Sequence, residues 1–296
     1  MTPSDSPPPP PEALEDLIRR ATRADGSPPF SDGALVALAG GTRELVWLGP
    51  AAALRGSGEA ELVVDPDARA QHHGTLMLEH LLTAGDTLFW AHGDHPAARA
   101  LAASHGLAPV RELLHLELRG LSDPGGLSRP PAAVSKPPHA PVSIRRQSAY
   151  STHGERRQSA YRAHNADAWV ALNARTFADH PEQGAVTRAD LDVLTAEPWF
   201  DPDDFLLLWE GPDLIGYCWL KVEGGEGEFY VVGVSPDHQG QGLGRQLVEA
   251  GLARLVSRGI RTAHLYVEGD NAPALALYSS FGFTRRSIDV QYRRVE

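Results

Sequence analysis

The chain has 296 residues, 42% of them hydrophobic, and a formal net charge of -11. That length suggests two domains, and the apolar content excludes a disordered chain. The acidic balance argues against a nucleic-acid partner and suits either an amine-bearing substrate or ordinary solubility.

The N-terminal string "MTPSDSPPPPPEAL" has neither a basic n-region nor an apolar h-region, so it does not read as a secretion signal. Prolines 7 to 11 predict an extended, solvated tail over residues 1–11. A helix follows in "PEALEDLIRRATRADG", with Leu14, Leu17 and Ile18 on one stripe and Gly26 as its stop. "ELVWLG" and "EAELVVDP" read as strands, "TLMLEHLLTAG" as a helix, "DTLFWAHG" as a strand, "PAARALAASHG" as a helix and "LLHLELRG" as a strand. Residues 120–141 are rich in Pro, Gly and Ser and predict a linker.

In the second half, "RRQSAY" occurs at Arg145 and again at Arg156, a local duplication whose extra copy is expected to loop out. Then come a helix around Trp169 to Phe177, the loop "ADHPEQGAVT", and a helix from Arg188. The strands "FLLLWEG", "LIGYCWLKVEGG" and "GEFYVVGVSP" precede a glycine-rich helix entry. The strand "TAHLYVEG", the helix "APALALYSSFG" and the strand "RSIDVQYRR" close the chain. The lone cysteine, Cys218, sits among apolar strand residues and reads as a buried thiol; without a disulfide, the cytoplasm is the natural compartment. No segment reaches the ~18–20 apolar residues that a bilayer crossing needs, so no membrane partner is expected.

The halves resemble each other. "WAHGDHPAARALAASHG" aligns without a gap on "YVEGDNAPALALYSSFG", and "VVDPDARAQHHGTLML" on "GVSPDHQGQGLGRQLV". The chain therefore reads as two copies of one mixed α/β domain, over residues 12–119 and 142–296.

The glycine loop fails two phosphate-binding patterns. Leu247 stands where a dinucleotide fold needs its third glycine, and Arg245-Gln246 follows Gly244 where a Walker loop needs Lys-Ser/Thr. What remains, Gln239-x-x-Gly242-x-Gly244 between a strand and a helix, turns backbone N–H groups inward, and these with the helix N-terminus can hold a pyrophosphate.

Downstream, Asn271, Ala274, Tyr278, Gly282 and Phe283 complete N-x-x-A-x-x-x-Y-x-x-x-G-F. The two linked motifs resemble the GNAT N-acetyltransferase superfamily. "HPEQG", "EPWFDP" and "EFYVVGVSP", with the tandem copies, look similar to the actinobacterial mycothiol synthase family. The resemblance implies two tandem GNAT-type domains, the first degenerate, and transfer of acetyl from acetyl-CoA to the cysteinyl amine of desacetylmycothiol, with no metal. Acetyl-CoA would lie along Val232, Gly233 and Val234, on the loop Gln239, Gly240, Gln241, Gly242, Leu243, Gly244 and Arg245, and by Asn271, Ala272, Pro273, Ala274, Leu275 and Ala276. Gly233 is expected to permit a bulge or splay of its strand.

In that family's chemistry Glu228 takes the amine proton, a backbone N–H of Val232–Val234 meets the oxyanion, and Tyr278 serves the leaving thiolate. Read without the resemblance, Glu228 is equally an exposed strand glutamate and Tyr278 an amphipathic helix residue. The acceptor is implied to meet Asp32, Glu182, Lys221, Glu228 and Tyr266; Asp32 is shorter than the glutamate usual there. In the first copy Ala102 stands opposite Tyr278, Trp90 opposite Tyr266 and His72 opposite Gly242, and an ungapped alignment puts Gly58 opposite Glu228. That copy is expected not to turn over; it either holds a second acetyl-CoA at Leu62, Val63, Val64, Ala70, Gln71, His72, His73, Gly74 and Thr75 or buttresses the other. The expected state is a monomer. Two rival readings remain: an acetyltransferase for another amine, such as an aminoglycoside or a protein N-terminus, and a non-enzymatic acyl-CoA sensor.

Overall fold

A computed structural model of the chain describes residues 11–122, 156–178 and 183–295, apart from the side chains of Pro11 and Asp32. Most of the expected tail and linker, the first "RRQSAY" and Glu182 lie outside the described residues.

The chain folds into two compact units that interleave along the sequence. The first takes the residues through His115, Val267–Ala272, and those from Arg285 onward. It contains α1 (Pro11–Asp25), α2 (Asp32–Ala39), β1 (Glu44–Leu48), β2 (Ala51–Gly56), β3 (Glu59–Val64), α3 (His73–Thr83), β4 (Leu88–His92), α4 (Pro96–Ser104) and the greater part of β5 (Leu107–Arg119). The second takes Leu116–Tyr266 and Pro273–Thr284. It contains β6 (Arg156–Ala160), α5 (Ala166–Thr176), α6 (Arg188–Leu194), β7 (Phe205–Glu210), β8 (Asp213–Glu223), β9 (Glu226–Val234), α7 (Leu243–Ser257), most of β10 (Thr262–Glu268) and most of α8 (Ala272–Ser280). The last strand, β11 (Thr284–Arg294), belongs almost wholly to the first unit.

Reading the copies as successive segments places β11 in the second. In the structure it pairs antiparallel with β4, from Asp289↔His92 to Arg293↔Leu88. Side chains explain the choice. Val290 and Tyr292 enter the first unit's core beside Met77, Leu81 and Phe89. Asp289 accepts the Gly93 N–H at 3.0 Å, and the Tyr292 hydroxyl donates to Asp94 at 2.7 Å. Without β11, β4 would present an open edge.

In each unit a run of antiparallel strands ends on a parallel pair. β1–β2–β3 are antiparallel and β3–β4 parallel; β6–β7–β8–β9 are antiparallel and β9–β10 parallel. Two elements of the first unit escape sequence reading. α2 is nearly all apolar and shows no helical stripe; the Ser31 hydroxyl caps it, accepting the Ala34 N–H at 3.1 Å. β2 begins with three alanines, poor strand formers that are held here by ladders on both sides.

The second unit's core gathers Trp169, Phe205, Tyr217 and Trp219 under α5. Trp219 stacks on Phe205 with centroids 4.3 Å apart. Burial of such rings, with their mutual contacts, fixes the sheet on which the site stands.

Candidate active site

The parallel pair in the second unit is short. β9 and β10 are in register only at Gly227↔Ala263 and Glu228↔His264. Beyond Glu228, β9 follows β8 alone, so the ladder opens toward Val232–Val234 and leaves that backbone available to a ligand. A bulge lies just past the opening: Trp219 faces Val231 and Leu220 faces Phe229, leaving Tyr230 as the extra residue. The bulge is therefore at Tyr230, not at Gly233 as the sequence suggested. Gly233 stays in register with Tyr217, and a β-carbon there would come within 2.5 Å of the Tyr217 ring. Glycine at 233 serves that packing.

The bulge also resets which way side chains point. Tyr230 and Val231 both pack on the Trp169–Trp219 cluster, while Phe229 lies against Gly251 of α7. Lys221 and Glu228 are direct cross-strand partners, and His264 is the parallel partner of Glu228. Register partners share a sheet face, and Tyr266 shares it with His264 two residues back. The structure thus brings Lys221, Glu228 and Tyr266 to one face. Tyr266 is 48% exposed. Asp32 opens α2 in the first unit, capped by Ser31; its side chain and Glu182 are outside the described residues. Gln183, next to Glu182, is tied down: its carbonyl accepts from Asn173 at 2.5 Å, and Asn173 accepts from the buried Tyr217 hydroxyl at 2.7 Å.

The glycine loop lies between a 3-10 turn, Pro236–His238, and α7. Gly240 and Gly242 take left-handed φ of +74° and +77°, and Gly242 is the N-cap of α7. The first N–H groups of α7 have no acceptor within the helix, and the macrodipole adds positive potential there. Gly244 lies close to α8: a β-carbon would stand 3.2 Å from Leu277. Arg245 donates to Ser280 at 2.7 Å and lies over the Phe281 ring, so its charge is fixed beside α8. α8 itself begins directly after Asn271, with Ala272 to Ala276 in its first turns.

Tyr278, on α8, is buried, with its ring edge-on to Phe283 at 5.6 Å. Burial, and then the Cys218 thiol, push its phenol well above the ordinary range, so it remains a proton donor. Cys218 is fully buried, and burial pushes its thiol up as well, which removes it as a thiolate nucleophile.

The first unit keeps the same architecture. β3 and β4 are in register only over Glu59–Glu61, and the opening beyond leads into a cavity of about 520 Å³. Leu62, Val63, Val64, Ala70, His72, His73, Gly74 and Thr75 line it, whereas Gln71 does not. Its other walls include Trp90, His92, Ala102 and Tyr292. Tyr292 arrives on β11, so the sequence offered no sign of it.

One alignment changes. β3 pairs with β2 without a bulge, so the copies differ by one residue before Tyr230. Glu59, not Gly58, is the counterpart of Glu228: Glu59 pairs Leu88 as Glu228 pairs His264, and these partners align in sequence. Glu59 is engaged on every side, by Arg43, by Trp90 Nε1 at 3.1 Å and by Gln291 Nε2 at 2.9 Å. Glu61 accepts from the Ser31 N–H and hydroxyl at 2.7 and 2.9 Å, and lies 3.1 Å from His92 Nε2. Burial opposes charge on His92, but the hydrogen bonds to Asp289 and Glu61 outweigh it and raise its pKa to about 9.

The Acetyltransferase (GNAT) family matches residues 167–283. The mycothiol acetyltransferase of Clavibacter michiganensis is 44% identical, over 97% of this chain and 93% of its own length. That of Geodermatophilus obscurus is 41% identical, over 95% and 93%. Among solved structures, a GCN5-related N-acetyltransferase from Sphaerobacter thermophilus has a TM-score of 0.63 at 20% identity, covering 95% of this chain and 91% of its own. A tandem GNAT protein from the clavulanic acid biosynthesis pathway has 0.60 at 16%, covering 95% and 93%. These two share the fold. With relatives of this identity along nearly its whole length, and with both GNAT motifs in place, the chain belongs to the mycothiol acetyltransferase family and is a GNAT N-acetyltransferase.

Proposed function

We propose that the second unit transfers acetyl from acetyl-CoA to the cysteinyl amine of desacetylmycothiol. The observation that carries this reading is the single sheet face bearing Lys221, Glu228 and Tyr266 at the mouth of the strand opening. An amine needs a base, and a polyhydroxylated body needs mixed donors and acceptors; this face supplies both.

The pyrophosphate of acetyl-CoA rests on the Gly240–Arg245 backbone, and its pantetheine arm runs along Val232–Val234 toward Tyr278. Glu228 takes the proton of the ammonium, directly or through water, and the free amine attacks the thioester carbon. An N–H of Val232–Val234 donates to the oxyanion. The C–S bond then breaks as the nitrogen gives up its second proton to solvent, and the thiolate takes the Tyr278 proton, which solvent restores. An α-amine titrates near 8, so a weak base suffices. Transfer is direct, because Cys218 is buried and protonated. The reaction would take place in the cytoplasm, on a monomer.

The first unit's cavity supports a second acyl-CoA site without turnover. It keeps the opening and the loop, but Ala102 replaces the acid and Glu59 is held by an ion pair and two hydrogen bonds. Calorimetry with acetyl-CoA on the full chain should give a stoichiometry of two; a value of one, retained after obstructing the cavity with Ala102→Trp, excludes the second site. Mass spectrometry of thiols in cells lacking the gene tests the main reading: mycothiol should vanish and its desacetyl precursor accumulate. Unchanged mycothiol would refute it.

A further inference from the structure

Lys221 is oriented by a residue that neither motif includes. Its Nζ lies 5.4 Å from the centroid of the Trp199 indole and 3.2 Å from a Glu223 carboxylate oxygen. Glu223 is 66% exposed, so that pair is a weak restraint. Trp199 is the firmer one. It stands in the loop between α6 and β7, half-buried, with its ring 5.8 Å from Trp219 and 5.4 Å from Tyr230. Phe200 next to it packs edge-on against Trp219 at 5.7 Å. The indole is therefore part of the same aromatic core that carries the Glu228 face, through the bulge residue Tyr230.

We propose that Trp199 is a positioning residue that holds the Lys221 ammonium on the acceptor side of the sheet and so sets recognition of a polyhydroxylated acceptor. This inference rests on the function proposed above. A lysine side chain has large rotamer freedom, which a hydroxylated ligand would otherwise have to freeze on binding. An ammonium held over an indole keeps its N–H donors free to turn toward ligand oxygens.

Steady-state kinetics with desacetylmycothiol on the wild type, Trp199→Phe, Trp199→Leu, Lys221→Met and the Trp199→Leu/Lys221→Met double variant test it. Trp199→Leu should raise the acceptor KM by roughly three- to thirtyfold, the worth of a cation–π contact, leaving kcat and the acetyl-CoA KM unchanged. Trp199→Phe should recover part of the loss, and the double variant should be no worse than Lys221→Met. An unchanged acceptor KM, fully additive penalties, or an equal loss toward acetyl-CoA would overturn the proposal. If Trp199→Leu does not fold, Trp199→Phe with and without Lys221→Met carries the same cycle. A wild type that acetylates other amines but not desacetylmycothiol refutes the proposed substrate, and this inference with it; a wild type that works beside an indifferent Trp199→Leu refutes this inference alone.

Discussion

The loops Ala70–Gly74 and Gly240–Gly244 follow one backbone path with different residues. Gly240 and Gly242 take φ of +74° and +77°; their counterparts Ala70 and His72 take +59° and +64°. A β-carbon in the left-handed region costs about 1–2 kcal/mol, so the first copy keeps the shape despite its sequence. At the carboxylates the relation is reversed. Glu59 and Glu228 share residue type and ladder position, but Glu59 meets Arg43, Trp90 and Gln291, where Glu228 stands across from Lys221 and His264. Loop geometry outlasts glycine, and a shared glutamate does not make a shared environment.

The sharpest way to break this contrast is at the two glutamates. Glu228→Gln should lower kcat by roughly 10²–10⁴-fold with acetyl-CoA affinity retained, as loss of a general base does. Glu59→Gln should leave turnover intact and lower the melting temperature instead, because it removes a charge partner from the half-buried Arg43. Equal kinetic effects of the two would dissolve the distinction. Next is the acid: Tyr278→Phe should slow turnover by roughly tenfold to a hundredfold, with the loss concentrated in kcat. Wild-type kcat in this variant would remove Tyr278 from the chemistry.

Exchanging loop residues asks how much glycine matters. Gly242→His should cost about 1–2 kcal/mol and weaken acetyl-CoA binding, while His72→Gly should be neutral or stabilising by up to about 1 kcal/mol. Thermal unfolding and calorimetry read both; a stabilised Gly242→His contradicts the strain argument. A further effect is on pH. His92 has its pKa raised to about 9 between Glu61 and Asp289, so its stabilisation is complete below about pH 6.5 and is lost as pH rises through about 9. Denaturant titrations from pH 6 to 10 should show the first unit weakening over that window, and His92→Gln should flatten the slope.

Much of this was legible in the residues. Q-x-x-G-x-G and N-x-x-A-x-x-x-Y place the loop, α7 and α8 because turn chemistry and helix periodicity are local. Cys218 reads correctly as a buried thiol because its neighbours are apolar. The bulge at Tyr230 was not legible, since one extra residue in a ladder leaves no mark in a single strand; hence Gly58 was set opposite Glu228. Trp199 lies in the "EPWFDP" string that carries the resemblance, but a tryptophan in a loop signals burial, not the lysine it faces. β2 escapes sequence reading because alanines disfavour a strand, and α2 because a uniformly apolar run shows no helical stripe.

The repeat and the strand–loop–helix motifs are written in the sequence, as short-range spacing and side-chain chemistry. That β11 completes the first unit, that Glu59 is the counterpart of Glu228, and that Lys221, Glu228 and Tyr266 share a face emerge only in the folded chain. Those depend on strand pairing and register, which are set by contacts between residues far apart in the chain.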